Sequence, residues 1–372
     1  VRVSVAKSGR SFSVERDRSV LDAAIRAGLN LPHSCRSGSC GSCRARLIRG
    51  EVRYPNGPPL GLGAAEIAEG LVLLCQARAE SDLTIETFEP AAPEALAVKH
   101  LPCRIERIEP LAHDVLAVYL KLPAAERFDF EPGQYIDILL SGGRRRSFSI
   151  ASPPHDSRLL ELHVRLAPGG EFTEPLFSGR RTGALLTIEG PLGHFVYREP
   201  TGDREPVGHG EPVGHGESAA DRAKAGAAAP MLLVGGGTGL APLMSIVRHV
   251  TEAGRPRDMT LYWGVRAERD LYAQAALESL AAREPRFRYL PVLSEPSAAW
   301  RGLVGPVHEA VLAGVADLAR HDIYASGPPG MIEAVRRDFT ARGVEPSRLA
   351  FDSFDYAPDT LERQRMAADT KS

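Results

Sequence analysis

Four cysteines carry the first chemistry. Cys35, Cys40 and Cys43 stand at C-x-x-x-x-C-x-x-C spacing, and Cys75 follows after 31 intervening residues. Four thiolates so arranged can reach two irons bridged by two sulfides, the spacing of a 2Fe–2S cluster. Small residues in CRSGSCGSC, Gly38 and Gly41 among them, let the backbone wrap a cluster and aim N–H groups at sulfur. Zinc is the alternative reading. Structural zinc usually shows two C-x-x-C knuckles, whereas Cys75 stands alone on the apolar run LVLLCQAR. Cys103, in LPCRIE, has no partner spacing and reads as an ordinary half-buried thiol.

A second group lies in GQYIDILLSGGRRRSFSIASPP, where Arg146, Phe148 and Ser149 read as an arginine, an aromatic and a hydroxyl at alternate strand positions. They suit an anionic, planar ligand: guanidinium to phosphate, ring on a flat heterocycle, hydroxyl to a ring nitrogen. An exposed strand with a charge run, Arg144–Arg146, is the other reading. A third group lies in MLLVGGGTGLAPLMSIVRH, a buried strand, a Gly-rich turn and a helix whose N-terminus suits a pyrophosphate. Leu240 occupies the last glycine of G-x-G-x-x-G, so a generic dinucleotide fingerprint is incomplete there.

The elements that must position these groups fall into three blocks. Residues 1–90 open with alternating Val1, Val3 and Val5, then Phe12 and Val14, as in a hairpin. Asp17-Arg18-Ser19 leads into the helix-spaced VLDAAIRAGLNL, and short strands are expected at Arg44–Ile48, Leu71–Leu74 and Leu83–Ile85, which makes a small α+β fold. EPAAPEALA (Glu89–Ala97) reads as a semi-rigid linker. Residues 99–200 hold the β-like runs VLAVYLKL, YIDILL, LLELHVRL and LLTIEG between turn signals, an antiparallel β-barrel or sandwich. Residues 201–228 contain the doublet EPVGHG-EPVGHG, a low-complexity insertion whose His209 and His215 make a poor metal site. Residues 229–356 alternate strand and helix, the rhythm of an open parallel sheet. Residues 357–372 read as a disordered tail.

The totals agree with several domains in one soluble chain of 372 residues, 43% hydrophobic and 25% charged. A net charge of −2 argues against nucleic acid as partner, and no apolar run is long enough for a bilayer. The alternating, charged N-terminus has no signal-peptide core, so the expected location is cytoplasmic, where thiols stay reduced and cysteines serve as ligands.

With these residues in place, family resemblances emerge. LPHSCRSGSCGSCRARL resembles the loop of a plant-type ferredoxin with a β-grasp fold, and the four cysteines match one for one. RSFS resembles the Arg-x-Tyr/Phe-Ser/Thr flavin motif of the ferredoxin–NADP reductase superfamily. That resemblance implies that Arg146 meets flavin phosphates, Phe148 packs on the flavin and Ser149 lies near the hydride-accepting nitrogen. LHVRLAPGGEFT is similar to the second flavin segment, implicating His163, Val164, Gly169, Gly170 and Thr173. GPLGHF resembles the strand-turn closing that domain, and an N-terminal ferredoxin block implies FAD. Gly237-Thr238-Gly239-x-x-Pro242 is similar to the superfamily's nicotinamide turn. YASGPPGM resembles its Cys-Gly-Pro segment with Ser326 in place of cysteine, and FDSF, with Phe354, the stretch in which an acidic or hydroxyl group and an aromatic approach the flavin. Ser149 and Ser326 are the catalytic candidates. Arg266 or Arg269 could meet a 2′-phosphate, but lone arginines there also accompany NADH, so NADH and NADPH stay open.

The three motif sets in this order resemble the reductase components of multicomponent systems. The wording lies nearest the CDP-6-deoxy-hexulose-3-dehydrase reductases of deoxysugar synthesis, with bacterial oxygenase reductases next. The implied function is passage of electrons from NAD(P)H to FAD, to the 2Fe–2S cluster and on to a protein acceptor. That acceptor would be an oxygenase or a PMP-type dehydratase component. A stand-alone NAD(P)H:flavin or ferredoxin reductase and a redox-sensing protein are the alternatives. The cofactor reading predicts one flavin, two irons and two acid-labile sulfides per purified chain. Metal and flavin analysis checks it, and zinc in place of iron would end the cluster assignment.

Overall fold

The computed structural model describes the chain except residues 30, 34, 35, 37, 39, 40, 60, 88–97, 157–158, 180–181, 200–227, 255–256, 355–359, 361–362 and 364–372. Three sheets follow one another along it. In the first, β1 (Arg2–Val5) and β2 (Ser11–Ser13) form the expected hairpin, with Val3, Val5 and Phe12 alternating into the core. The helix α1 (Val20–Arg26) starts at Ser19, whose hydroxyl accepts the Asp22 N–H at 3.1 Å. It stops short of the full VLDAAIRAGLNL run because Gly28 turns left-handed at φ +71°. Then come β3 (Arg44–Arg49), β4 (Val52–Arg53), α2 (Ala64–Ala68), β5 (Leu71–Leu73), β6 (Arg78–Ala79) and β7 (Leu83–Glu86). The sheet order is β2-β1-β7-β3-β5, with β4 and β6 as a separate ribbon.

The second sheet is antiparallel. Its strands are β8 (Lys99–Ala112), β9 (Val115–Lys121), β10 (Tyr135–Leu139), β11 (Arg145–Ser149), β12 (Leu159–Arg165) and, after the short α3 (Thr173–Phe177), β13 (Leu185–Leu192). The order is β11-β10-β13-β8-β9-β12, and an Ile150–Leu162 bridge draws its two edges together into a barrel. Ile105, Leu120, Ile136 and Leu162 fill the interior. Cys103 is fully rather than half buried there, and burial pushes its thiol up to about 12, which makes it inert.

The third sheet is parallel. It runs β14 (Met231–Gly236), α4 (Leu240–Glu252), β15 (Met259–Val265), α5 (Gln274–Arg283), β16 (Phe287–Leu293), β17 (Leu303–Val304), α6 (Val307–Gly314), β18 (Asp322–Gly327), α7 (Pro329–Ala341) and β19 (Leu349–Ser353). The order β17-β16-β15-β14-β18-β19 reverses direction at β14, so the Gly-rich turn after β14 lies at the switch point where such sheets bind nucleotides. Strand β16 carries Pro291 between two paired neighbours, a residue that argues against a central strand in sequence.

Arg257, 2% exposed, ties the barrel's exit to this sheet. It donates to the carbonyls of Arg198 at 3.2 Å and Ala229 at 3.0 Å and pairs with Asp322. The proposed linker Glu89–Ala97 and the EPVGHG doublet lie outside the described residues. The tail expected to be disordered contains two described residues, and one of them corrects that expectation. Thr360 is helical and 2% exposed, so the chain is packed at that position. Among the described residues no helix is long and apolar enough to cross a membrane.

One close approach gives a test. A Cβ on Gly239 would fall inside the contact distance of the Ser326 carbonyl at the end of β18. Gly239→Ala should therefore cost about 1–3 kcal/mol through overpacking. Thermal unfolding checks it, and an unchanged Tm would contradict the packing of this turn on β18.

Candidate functional site

The three sheets point their loops at one cleft of about 910 Å³. Arg36, Cys75 and Gln76 reach it from the first block, strand β11 and α3 from the barrel, and Gly237, Thr238 and Asp352 from the third sheet.

Strand β11 shows how the sequence pattern is used. Ile138 faces Arg146 and Ile136 faces Phe148, whereas Asp137 faces Ser147 and Tyr135 faces Ser149. Side chains alternate with period two. Arg146 and Phe148 thus share one side, and Ser149 joins Arg145 and Ser147 on the other, which corrects the expectation that Arg146, Phe148 and Ser149 stand at alternate positions. All five side chains still reach the cleft, because β11 is an edge strand. Phe148 packs 5.3 Å, centroid to centroid, from the buried Phe172, giving the cleft an aromatic wall.

The second segment is placed less uniformly. Gly170 lines the cleft. The N–H of Gly169 is taken by the Glu174 carboxylate at 2.6 Å. The Thr173 hydroxyl accepts from the Ala167 N–H and donates to the Ala167 carbonyl, both at 3.1 Å, so it closes the turn. Val164 is fully buried in the barrel core, on the face opposite His163. His163 reaches the cleft between two partners, Glu161 at 3.0 Å and the Tyr272 hydroxyl at 3.0 Å.

In the third block, Gly237 at φ +55° and Thr238 border the cleft. Gly239 and Pro242 are buried and serve the packing of the turn. Ser326 is fully buried and stands behind Asp352, with its hydroxyl 3.5 Å from that carboxylate. Ser149 donates to the same Asp352 oxygen at 3.3 Å from the barrel side. Asp352 and Phe354 both border the cleft. Sequence reading had allowed an acidic group in FDSF without naming Asp352, and its pairing with Ser149 had no local signal.

Two further carboxylates of the barrel are buried at its seams. Asp137, 1% exposed, accepts from Ser147 at 2.6 Å and from Arg36 of the first block at 2.7 Å. Glu161 accepts from Arg248 of α4 at 2.6 Å as well as from His163. Burial alone would raise the Glu161 carboxyl, but the His163 hydrogen bond and the Arg248 charge outweigh it and hold the group at about 2. At the first seam, the His194 N–H donates to the His33 carbonyl at 2.9 Å and the His33 N–H to His194 Nδ1 at 3.1 Å. Burial pulls the two imidazoles down to about 3 and about 4, so both are neutral at physiological pH.

Of the four cysteines, Cys43 and Cys75 are described. Both are buried, and the Cys75 N–H points at Cys43 Sγ at 3.5 Å, the amide-to-sulfur contact that an anionic thiolate cluster requires. Cys35 and Cys40 lie outside the described residues. Gly38 and Gly41 adopt φ +85° and +74°, and a side chain on Gly38 would strike Gln76 and Pro59. The cleft also fits a flat, anionic, dinucleotide-sized group. It joins an aromatic wall to the guanidinium groups of Arg145, Arg146 and Arg165, and the buried Tyr135 lies beside it next to the Arg36 guanidinium.

Comparison with known proteins gives three consecutive matches. Residues 3–80 match a 2Fe-2S iron-sulfur cluster binding domain, 102–197 an oxidoreductase FAD-binding domain and 233–337 an oxidoreductase NAD-binding domain. The chain is 32% identical to CDP-6-deoxy-L-threo-D-glycero-4-hexulose-3-dehydrase reductase of Yersinia pestis, over 95% of this chain and 98% of that one. It is 34% identical to the reductase subunit of an aromatic O-demethylase of Amycolatopsis, over 94% and 98% of the two chains. The crystal structure of an Amycolatopsis cytochrome P450 reductase superposes with a TM-score of 0.73 at 34% identity, covering 95% of this chain and 99% of that one.

The Glu161 seam makes a pH prediction. Its native carboxyl lies below the ordinary 4.5, so its stabilisation is complete above 4.5 and is lost as pH falls towards 2. Glu161→Gln should cost on the order of 1–3 kcal/mol at pH 7. The gap between parent and variant should close between pH 4.5 and 2 in denaturant melts run as a pH series. A gap that does not change with pH would contradict the assignment.

Proposed function

This chain belongs to the family of iron–sulfur flavoprotein reductases, and from that premise we propose which of its residues carry the electron route and what receives the electrons. It is an NAD(P)H-dependent oxidoreductase with FAD and a 2Fe–2S cluster. When bound, the flavin takes hydride from the nicotinamide and releases the electrons singly to the cluster, which a protein acceptor discharges.

The observation that carries the assignment of residues is the single cleft, into which Cys75, strand β11 and the Gly237–Thr238 turn all open. Cys35, Cys40, Cys43 and Cys75 hold the cluster. Arg146 neutralises flavin phosphates, the backbone at Gly170 admits them closely, and the Phe148–Phe172 wall excludes water from one side. The Gly237–Thr238 turn and the start of α4 receive the nicotinamide dinucleotide's pyrophosphate. Ser149 and Asp352 form the hydride site: the carboxylate fixes the hydroxyl of Ser149, which can hold or release a proton at its oxygen. Ser326 acts behind them by orienting Asp352. His163 stays a positioning group between Glu161 and Tyr272.

For the acceptor, the named relatives support an oxygenase or a PMP-type dehydratase component. A cytoplasmic location suits a cluster that needs reduced thiols.

Cys40→Ser separates the two half-reactions. A four-thiolate cluster tolerates little loss of ligand charge, so the variant should lose most of its iron and its cytochrome c reduction. NADH–ferricyanide activity should persist, because ferricyanide can draw electrons from the flavin. Ser149→Ala should instead depress both rates, since flavin lies upstream of every acceptor. Cytochrome c reduction at the parent rate by an iron-depleted Cys40→Ser protein would overturn the linear route.

A further inference from the structure

Arg36 follows Cys35 in the cysteine loop and is the one described non-glycine residue in the left-handed region, at φ +54°. An arginine there pays a backbone cost that a glycine would avoid, so its side chain needs a reason. The guanidinium is 15% exposed and spans two carboxylates of different domains. One NH2 group pairs with Asp22 on α1, and the other donates to Asp137 on β10 at 2.7 Å. The Arg36 carbonyl is held from behind by Gln76 Nε2 at 2.9 Å, and Gln76 follows Cys75. Asp137 in turn accepts from Ser147 of β11 and lies 3.5 Å from Arg145, which pairs with Glu189. A chain of alternating charge thus runs from α1, through the cysteine loop, into the strand beside the aromatic wall.

Such a buried chain contributes little net stability, because desolvation cancels most of the attraction; what it supplies is a defined geometry. We propose that Arg36 is the positioning residue for inter-domain electron transfer, locking the cysteine loop to the barrel through Asp137 so that the two redox groups keep a fixed separation. This rests on the assignment of the cluster to the cysteine loop and of the flavin to the cleft. NADH leaves as NAD⁺, and its hydride becomes two electrons and one proton, the proton passing to solvent as the electrons leave. Each electron crosses the junction singly, the acceptor drawing off the first before the second follows. Transfer of that kind falls exponentially with distance, so a loosened junction slows it without touching hydride transfer.

The test uses the full holoprotein with Arg36→Met, Arg36→Lys and Asp137→Asn. Stopped-flow absorbance after mixing with NADH separates flavin bleaching from cluster bleaching. In Arg36→Met the first should stay within about twofold of the parent, and the second should fall about tenfold or more, the scale expected of a small misplacement. Arg36→Lys, whose one ammonium can serve one carboxylate closely, should fall between parent and Arg36→Met. In the oxidised proteins, hydrogen exchange at the amides of His33, Gly193 and His194, which are bonded across this junction, should quicken in Arg36→Met. Iron content and the electron paramagnetic resonance spectrum of the dithionite-reduced cluster should match the parent. If Arg36→Met loses iron, Asp137→Asn, which leaves the cysteine loop intact, decides by the same readouts. Cluster bleaching at the parent rate in an iron-replete variant, or unchanged exchange at the three amides, would overturn the proposal. A parent protein without iron or flavin would instead overturn the cofactor assignment beneath it.

Discussion

A carboxylate removed from water must be met by donors or counter-charges, or it will not stay ionised. In this chain three buried carboxylates are met from across a domain border. Asp137 of the barrel takes Arg36 of the first block, Glu161 of the barrel takes Arg248 of the third, and Asp352 of the third takes Ser149 of the barrel. The relative placement of the sheets is therefore written into polar chemistry whose geometry is far less forgiving than apolar contact. The buried imidazoles of His33 and His194, kept neutral, add main-chain hydrogen bonds to the first of these seams without adding charge.

This arrangement also divides the labour between cores and seams. Each sheet has its own apolar interior: Val3, Val5 and Leu21 in the first, Ile105, Leu120 and Ile136 in the second, and in the third two layers on either side of β14. Those interiors set the stability of each block. The seams carry directional bonds that contribute little net energy and much orientation. A reductase needs that division, because its redox groups must be held at set distances while the nicotinamide coenzyme enters and leaves.

What was legible in the sequence was local. The RSFS strand and the Gly-rich turn depend on residues within a few positions of one another, and each forms the element that its local pattern predicts. What was not legible depended on pairs far apart in the chain. Arg36 and Asp137, Glu161 and Arg248, and Ser149 and Asp352 are separated by 101, 87 and 203 residues. Nothing in the sequence next to either partner marks it. Other differences came from side chains already occupied. The Thr173 hydroxyl closes its own turn, and Ser326, a catalytic candidate in sequence, lies buried behind Asp352.

Arg257 holds the carbonyls of Arg198 and Ala229, the residues on either side of the stretch that contains the EPVGHG doublet. With both ends tied to one guanidinium, the barrel and the nucleotide-binding sheet are registered at these two carbonyls. The entropy of closing a loop grows only as the logarithm of its length, so extra residues there cost the fold little. The same bracket makes this stretch the natural port for an engineered insertion, such as an affinity tag or a tether that carries the reductase to a chosen acceptor.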